Sequence, residues 1–138
     1  MNIHNKIKYI ENLDFGDLEL RLCDVSMNTD VDPLLTKKFY EYCTDKYLKF
    51  LKLCVIYPDK KFSPDFYIDL IWHYHILDTK KYINDCDVIF GEYFHHTPNY
   101  SNGVKNKEPK IDDISYFYKK HFETEYNLSE EDYAELNK

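Results

Sequence analysis

The chain has 138 residues, 43% hydrophobic and 31% charged, with a net charge of −7. That is the length and make-up of one soluble domain, large enough to bury a core without staples. The acidic balance argues against sequence-independent binding of DNA or RNA, which needs Lys and Arg against phosphates. No run reaches the ~18 apolar residues of a membrane span.

The finer composition is skewed. There are 17 Lys but one Arg (Arg21), one Ala (Ala134), ten Asn and eleven Ile. This is the usage of an AT-rich genome, as in a giant virus, a protist or a low-GC bacterium, and not a functional signal. The only local basic cluster, Lys105, Lys107, Lys110, Lys119 and Lys120, reads as a solvated face. Residues 1–8 hold no long apolar run, so no signal peptide is expected. Cys23, Cys43, Cys54 and Cys86 form no C-x-x-C pair and are expected reduced, in the cytoplasm. The sequons at Asn99 and Asn127 then carry no meaning.

In chain order, residues 1–16 read as an N-terminal arm with scattered apolar positions (Ile7, Ile10, Leu13, Phe15). Residues 17–138 read as a single helical domain. Residues 17–26 fit either a strand (Leu18, Leu20, Leu22) or a helix (Leu18, Leu22, Val25); helix is preferred because no second strand exists to pair with. Met27–Val31 is a polar linker. Asp32-Pro33 is a cap and first helical residue, opening a long helix to about Val55 with Leu35, Phe39, Tyr42, Cys43, Phe50, Leu53 and Cys54 on its inner side. Tyr57–Lys61 breaks it, and Ser63-Pro64-Asp65 opens the next by the same device.

That next helix, about 64–77, is apolar all round, which predicts a central buried element. Asp78 ends it and caps a helix over Thr79–Phe90, stopped by Gly91 at C′. Glu92–Tyr100 is an aromatic loop, and Ser101–Pro109 is polar and the least ordered part. Asp112 or Asp113 caps a helix to about Tyr126, with Ile114, Phe117, Tyr118, His121 and Phe122 inward. Ser129, with Asp132 three residues on, opens a short last helix. The fold expected is all-α: one compact domain of about five or six helices around the helix at 64–77.

The candidate chemistry lies in Asp69, His73, His75, Asp85, Cys86, His95 and His96, side chains of the kinds that bind zinc or another transition metal. Asp69 and His73 are one turn apart, so the carboxylate is placed to orient the ring. His73 and His75 are two apart, about 160° around a helix, and cannot share an ion unless the helix unwinds. This differs from H-E-x-x-H. An ion would use His73 with His95 or His96, and His75 would sit near Cys86. The commoner reading of such residues is a buried polar network, hydrogen-bonded to backbone or carboxylate.

Cys86 with a histidine base, and Asp69 with Asp85 as acid and base, are weaker readings. A Cys on an apolar helix face is usually core, and no sugar-binding pattern surrounds either carboxylate. Trp72, Tyr74, Tyr93, Phe94 and Tyr100 read as core before pocket floor. Three glycines leave no phosphate loop.

The string Asp69-Leu-Ile-Trp72-His73-Tyr-His75-Ile-Leu-Asp78-Thr-Lys-Lys-Tyr82-Ile-Asn-Asp85-Cys86, then Phe90-Gly91 and His95-His96-Thr-Pro98, resembles the core of the glycine-rich domain-containing protein-like family, in its small stand-alone members. The preceding Tyr57-Pro58-Asp59 agrees, and the likeness covers residues 17–126. The Gly-rich and RNA-binding segments of the large members are missing, and Asn99–Gly103 departs from the pattern. The resemblance implies a helical domain with Trp72, His73, His75, Tyr82, Gly91 and His96 at signature positions, and no activity.

The function expected is a non-catalytic interaction or scaffold domain with a buried His/Asp network and a protein partner, without nucleic acid or membrane. The alternative is a metal or small-ligand site, open to catalysis, built from Asp69, His73, His75 and His96, with His73, His75 and His96 as metal ligands.

Overall fold

The computed structural model describes residues 1–23, 35–96 and 113–138. Among the described residues there are seven helices: α1 (Ile3–Glu11), α2 (Leu18–Cys23), α3 (Lys37–Ile56), α4 (Phe66–Leu77), α5 (Thr79–Phe90), α6 (Ile114–Phe122) and α7 (Glu130–Leu136). The all-α expectation holds, with no strand among the described residues.

The organising element is α3 rather than α4. Ten of its twenty residues are buried, and α1, α2, α4 and α6 all pack on it. α4 buries only Ile68, Ile71, Trp72 and His75. Phe66 and Leu77, on its far side, are 70% and 59% exposed. An apolar residue all round a helix is a licence for burial on every side, and neighbours must be there to use it.

Starts and stops follow capping chemistry, with local corrections. The N-terminal arm holds a helix: Asn2 caps α1, which packs on α3 and α5 and buries Ile10 completely. α2 is the helix preferred over the strand. Within the described residues α3 is capped by Thr36, whose hydroxyl accepts from the Phe39 N–H at 3.1 Å. The linker at 27–31 and the Asp32-Pro33 start lie outside the described residues.

α4 is capped by Asp65, after Pro64 rather than before it, its Oδ1 accepting from the Ile68 N–H at 3.0 Å. Asp78 sits at the start of α5, but its side chain makes no capping bond. Gly91 closes α5 in the left-handed conformation, φ 75°, where a side chain would be strained. Asp113, not Asp112, caps α6. That helix stops at Phe122, because Glu123 turns left-handed (φ 54°), and Tyr126 folds back into the core. His121 is exposed and meets the Tyr57 hydroxyl at 2.7 Å. Ser129 caps α7 as expected. No helix among the described residues is long and apolar enough to cross a membrane.

Candidate functional site: two buried polar networks

The first network sits where α1, α3, α4 and α5 meet. His75 is 3% exposed and Asp85 2%. His75 Nε2 lies 2.8 Å from Asp85 Oδ2 and its Nδ1 lies 2.6 Å from the Tyr47 hydroxyl. Asp85 also accepts from the Tyr9 hydroxyl at 2.6 Å and from Lys81 Nζ at 2.9 Å. A carboxylate only accepts, so Nε2 carries the imidazole proton, and Nδ1 accepts from Tyr47.

The titrations agree with that tautomer. Burial lowers the His75 pKa below its usual value and outweighs the bond and charge of Asp85. Burial alone would raise the Asp85 carboxyl, but the hydrogen bonds from Tyr9, His75 and Lys81, with the Lys81 charge, bring it below the usual carboxylate value. The Tyr9 phenol is pushed up to about 12, first by its bond to Asp85. Tyr47, fully buried, is raised well above its usual value by burial. The network is therefore carboxylate, neutral imidazole and two intact phenols.

Asp69, His73, His75 and His96 are not one constellation. Asp69 Oδ1 hydrogen-bonds His96 Nε2, so its partner is His96 and not His73. The His96 ring lies 4.2 Å from Trp72 by centroids. His73 is exposed and touches the Tyr74 ring edge at 5.4 Å. His95 is exposed against Tyr93. His73, His75 and His96 thus go three separate ways, because α4 stays regular through Tyr74 and throws 73 and 75 to opposite sides. Among the described residues there is no group of three or more His, Cys, Asp and Glu able to hold a metal ion.

His75 meets Asp85, not Cys86. Burial raises the Cys86 thiol, against bonds to Phe94 backbone and Tyr82 that pull it down, so the thiolate a nucleophile needs is disfavoured. Trp72, Phe94 and Tyr82 are core. The indole N–H donates to the Tyr82 hydroxyl at 2.8 Å, which donates to the Phe94 carbonyl at 2.5 Å, and Phe94 stacks on Trp72. Tyr100 and Pro98 lie outside the described residues.

The second network was not anticipated. Lys46, in the middle of α3, is 1% exposed. Its Nζ donates to Asp65 Oδ2 at 2.5 Å, to the Tyr126 carbonyl at 2.5 Å and to the Tyr42 hydroxyl at 3.0 Å. It also lies 4.1 Å from the Tyr126 ring centroid and 5.3 Å from those of Tyr42 and Tyr67. The Tyr126 hydroxyl accepts from the Asp65 N–H at 3.0 Å. One signal could have found it: Lys46 falls between Cys43 and Phe50 on the apolar side of α3, a charge in a core position.

A family model, UCP032817-like, matches residues 26–125, most of the chain. The chain belongs to the UCP032817-like family. That corrects the likeness to the glycine-rich domain-containing protein-like family, which no finding indicates. Much of the misleading string is core: Trp72, His75, Tyr82, Asp85 and Cys86 are all buried. The UCP032817-like family is uncharacterised, so membership assigns no activity. No curated protein and no solved structure matches the chain.

Proposed function

We propose that this UCP032817-like chain is a non-catalytic interaction domain, acting inside the cell on a protein partner. The observation that carries the reading is the state of the His75–Asp85 network. Both imidazole nitrogens and both carboxylate oxygens are taken by Tyr47, Tyr9 and Lys81 or by each other. No buried side-chain N or O among the described residues lacks a partner. A general base must reach substrate directly or through the hydroxyl it accepts from, and His75 and Tyr47 are both buried; a metal ligand needs a free lone pair. A network used up in this way fixes helix packing instead.

The surface that favours a partner is the outer side of α4. Phe66, Leu70, His73 and Leu77 recur at spacings of four, three and four, the seam by which one helix lies along another. The four cysteines are unbridged, which suits a reducing compartment.

The test separates packing from recognition. In Phe66→Glu/Leu77→Glu the stability stays within about 0.5 kcal/mol, as for surface changes, while a partner identified by cross-linking in cells is lost. His75→Phe does the reverse, lowering stability but keeping the partner. Stoichiometric metal in untagged protein, lost in His75→Phe, would overturn the reading.

A further inference from the structure

The outer side of α4 faces solvent. Phe66 is 70% exposed and Leu77 59%, His73 is exposed, and Leu70 between them is half-buried. At about 100° per residue the four side chains fall within an arc of about 60°. The Phe66 ring stands edge-on to Tyr67 at 5.8 Å.

A net charge of −7 opposes the meeting of two copies of the chain over most of its surface. α4 is an exception. Its twelve residues hold one carboxylate, Asp69, and no Lys or Arg.

The stripe also has the symmetry that a second copy requires. Its spacing reads four, three, four in either direction. Two copies of α4 laid antiparallel, about a two-fold axis midway between Leu70 and His73, set Phe66 opposite Leu77 of the second copy. Leu70 is then opposite His73 of the second copy.

The stripe alone would accept any amphipathic helix, and its flanks decide the occupant. Asp69 flanks it on the His73 side, and Tyr67 and Tyr74 on the other. The two-fold lays each flank against itself, reversed. Asp69 then stands one residue, about 1.5 Å along the axis, from His73 of the second copy, and symmetry repeats the pair. On the other flank Leu70 meets Tyr74 of the second copy.

Within one chain Asp69 and His73 are not paired. Asp69 uses Oδ1 for His96, and its side chain is still 43% exposed. His73 meets the edge of the Tyr74 ring. A carboxylate accepts on both oxygens, so a second imidazole can be taken without breaking the bond to His96.

We propose that α4 is a self-association surface, which pairs antiparallel with α4 of a second copy through Phe66, Leu70, His73 and Leu77, with Asp69 of each copy on His73 of the other. This rests on the interaction reading above and names its partner. α4 is about 18 Å long, too short for the ~800 Å² a side of a standard interface. The dimer is therefore weak and reversible, half-formed at about 0.1 mM.

The experiment is sedimentation equilibrium of the untagged full chain up to about 1 mM, on the parent, on Asp69→Lys, on His73→Glu and on an equal mixture of the two variants. In Asp69→Lys two donors face each other across the two-fold, and in His73→Glu two carboxylates do. Each variant alone is expected to dimerise at least about tenfold more weakly than the parent. In the mixture the new lysine of one variant meets the new glutamate of the other, and the remaining Asp69–His73 pair is the parent's. The mixed dimer is expected to return to parental strength, a rescue that no folding defect can imitate. The proposal is overturned if the parent stays monomeric, if both variants dimerise like the parent, or if the mixture shows no rescue. A monomeric parent whose Phe66→Glu/Leu77→Glu variant still loses a cross-linked partner in cells overturns the second copy and leaves the interaction reading standing. A monomeric parent with no such loss removes both.

Discussion

The two polar networks solve different electrostatic problems. Around His75 the buried groups are one carboxylate and one neutral ring, and the balancing cation, Lys81, reaches in from a half-exposed position. Around Lys46 the buried group is the cation itself, and its counter-ion Asp65 keeps contact with water. The first is held mainly by neutral donors. The second is a desolvated ammonium with one carboxylate, one carbonyl, one hydroxyl and an aromatic wall. A buried charge stripped of its partner is worse than a buried dipole stripped of its own, so the Lys46 network should be the more brittle.

The largest effect follows from that difference. Asp65→Ala leaves the Lys46 ammonium buried without a counter-ion and removes the α4 cap. The expected loss is about 3–5 kcal/mol for the charge and about 1 kcal/mol for the cap, enough to unfold a marginal domain. Lys46→Met should be milder, because Asp65 can turn to water. Urea unfolding of both variants checks the order; a costlier Lys46→Met would put the strain on the carboxylate side.

Why one network was legible in the sequence and the other was not is a matter of residue type. Histidines and carboxylates clustered between Asp69 and His96 announce themselves, and His75 and Asp85 were both singled out. Which would pair could not be read, because Tyr9, Tyr47 and Asp85 come from three helices whose packing no local spacing fixes. Lys46 is a lysine among the several lysines of α3, and lysine is almost never fully buried, so its residue type alone places it in water. The helices themselves were nearly all legible from caps and periodicity. The exceptions were α1, whose apolar residues are sparse, and the centre of the fold, where the all-round apolarity of α4 outweighed the length of α3.

Asp85→Ala should rank second. It leaves His75 Nε2–H buried and unpaired, at about 1–3 kcal/mol, while Tyr9 and Lys81 are exposed enough to find water. A loss larger than that of Asp65→Ala, measured by the same unfolding, would reverse the comparison.

Acid should separate the regions without any substitution. The folded His75 pKa is lowered, so the folded state takes up its proton less readily than the unfolded chain. Stability is present above the usual histidine value of 6.5 and is lost as pH falls from there through the folded value. Asp85, also lowered, adds a second loss below its usual 3.8. Urea midpoints taken downward from about pH 7.5 should fall in the parent and fall less in His75→Phe. Equal slopes would mean that His75 is not held neutral.

The smallest effect should come from a pair whose two members the sequence singles out without pairing them. Asp69 and His96 hydrogen-bond across 27 positions, joining α4 to the chain after α5. Their side chains are 43% and 20% exposed, and a pair with that much water is worth about 1 kcal/mol or less. The His96 ring also covers Trp72, so His96→Asn removes apolar contact as well as the bond. Trp72 is the only tryptophan, and its emission reports that contact directly. His96→Asn should shift the emission with little change in the unfolding midpoint. A midpoint loss as large as that of Asp85→Ala would make Asp69–His96 a third structural network, and the contrast between a buried carboxylate held mainly by neutral donors and a buried ammonium would no longer describe how this fold is held.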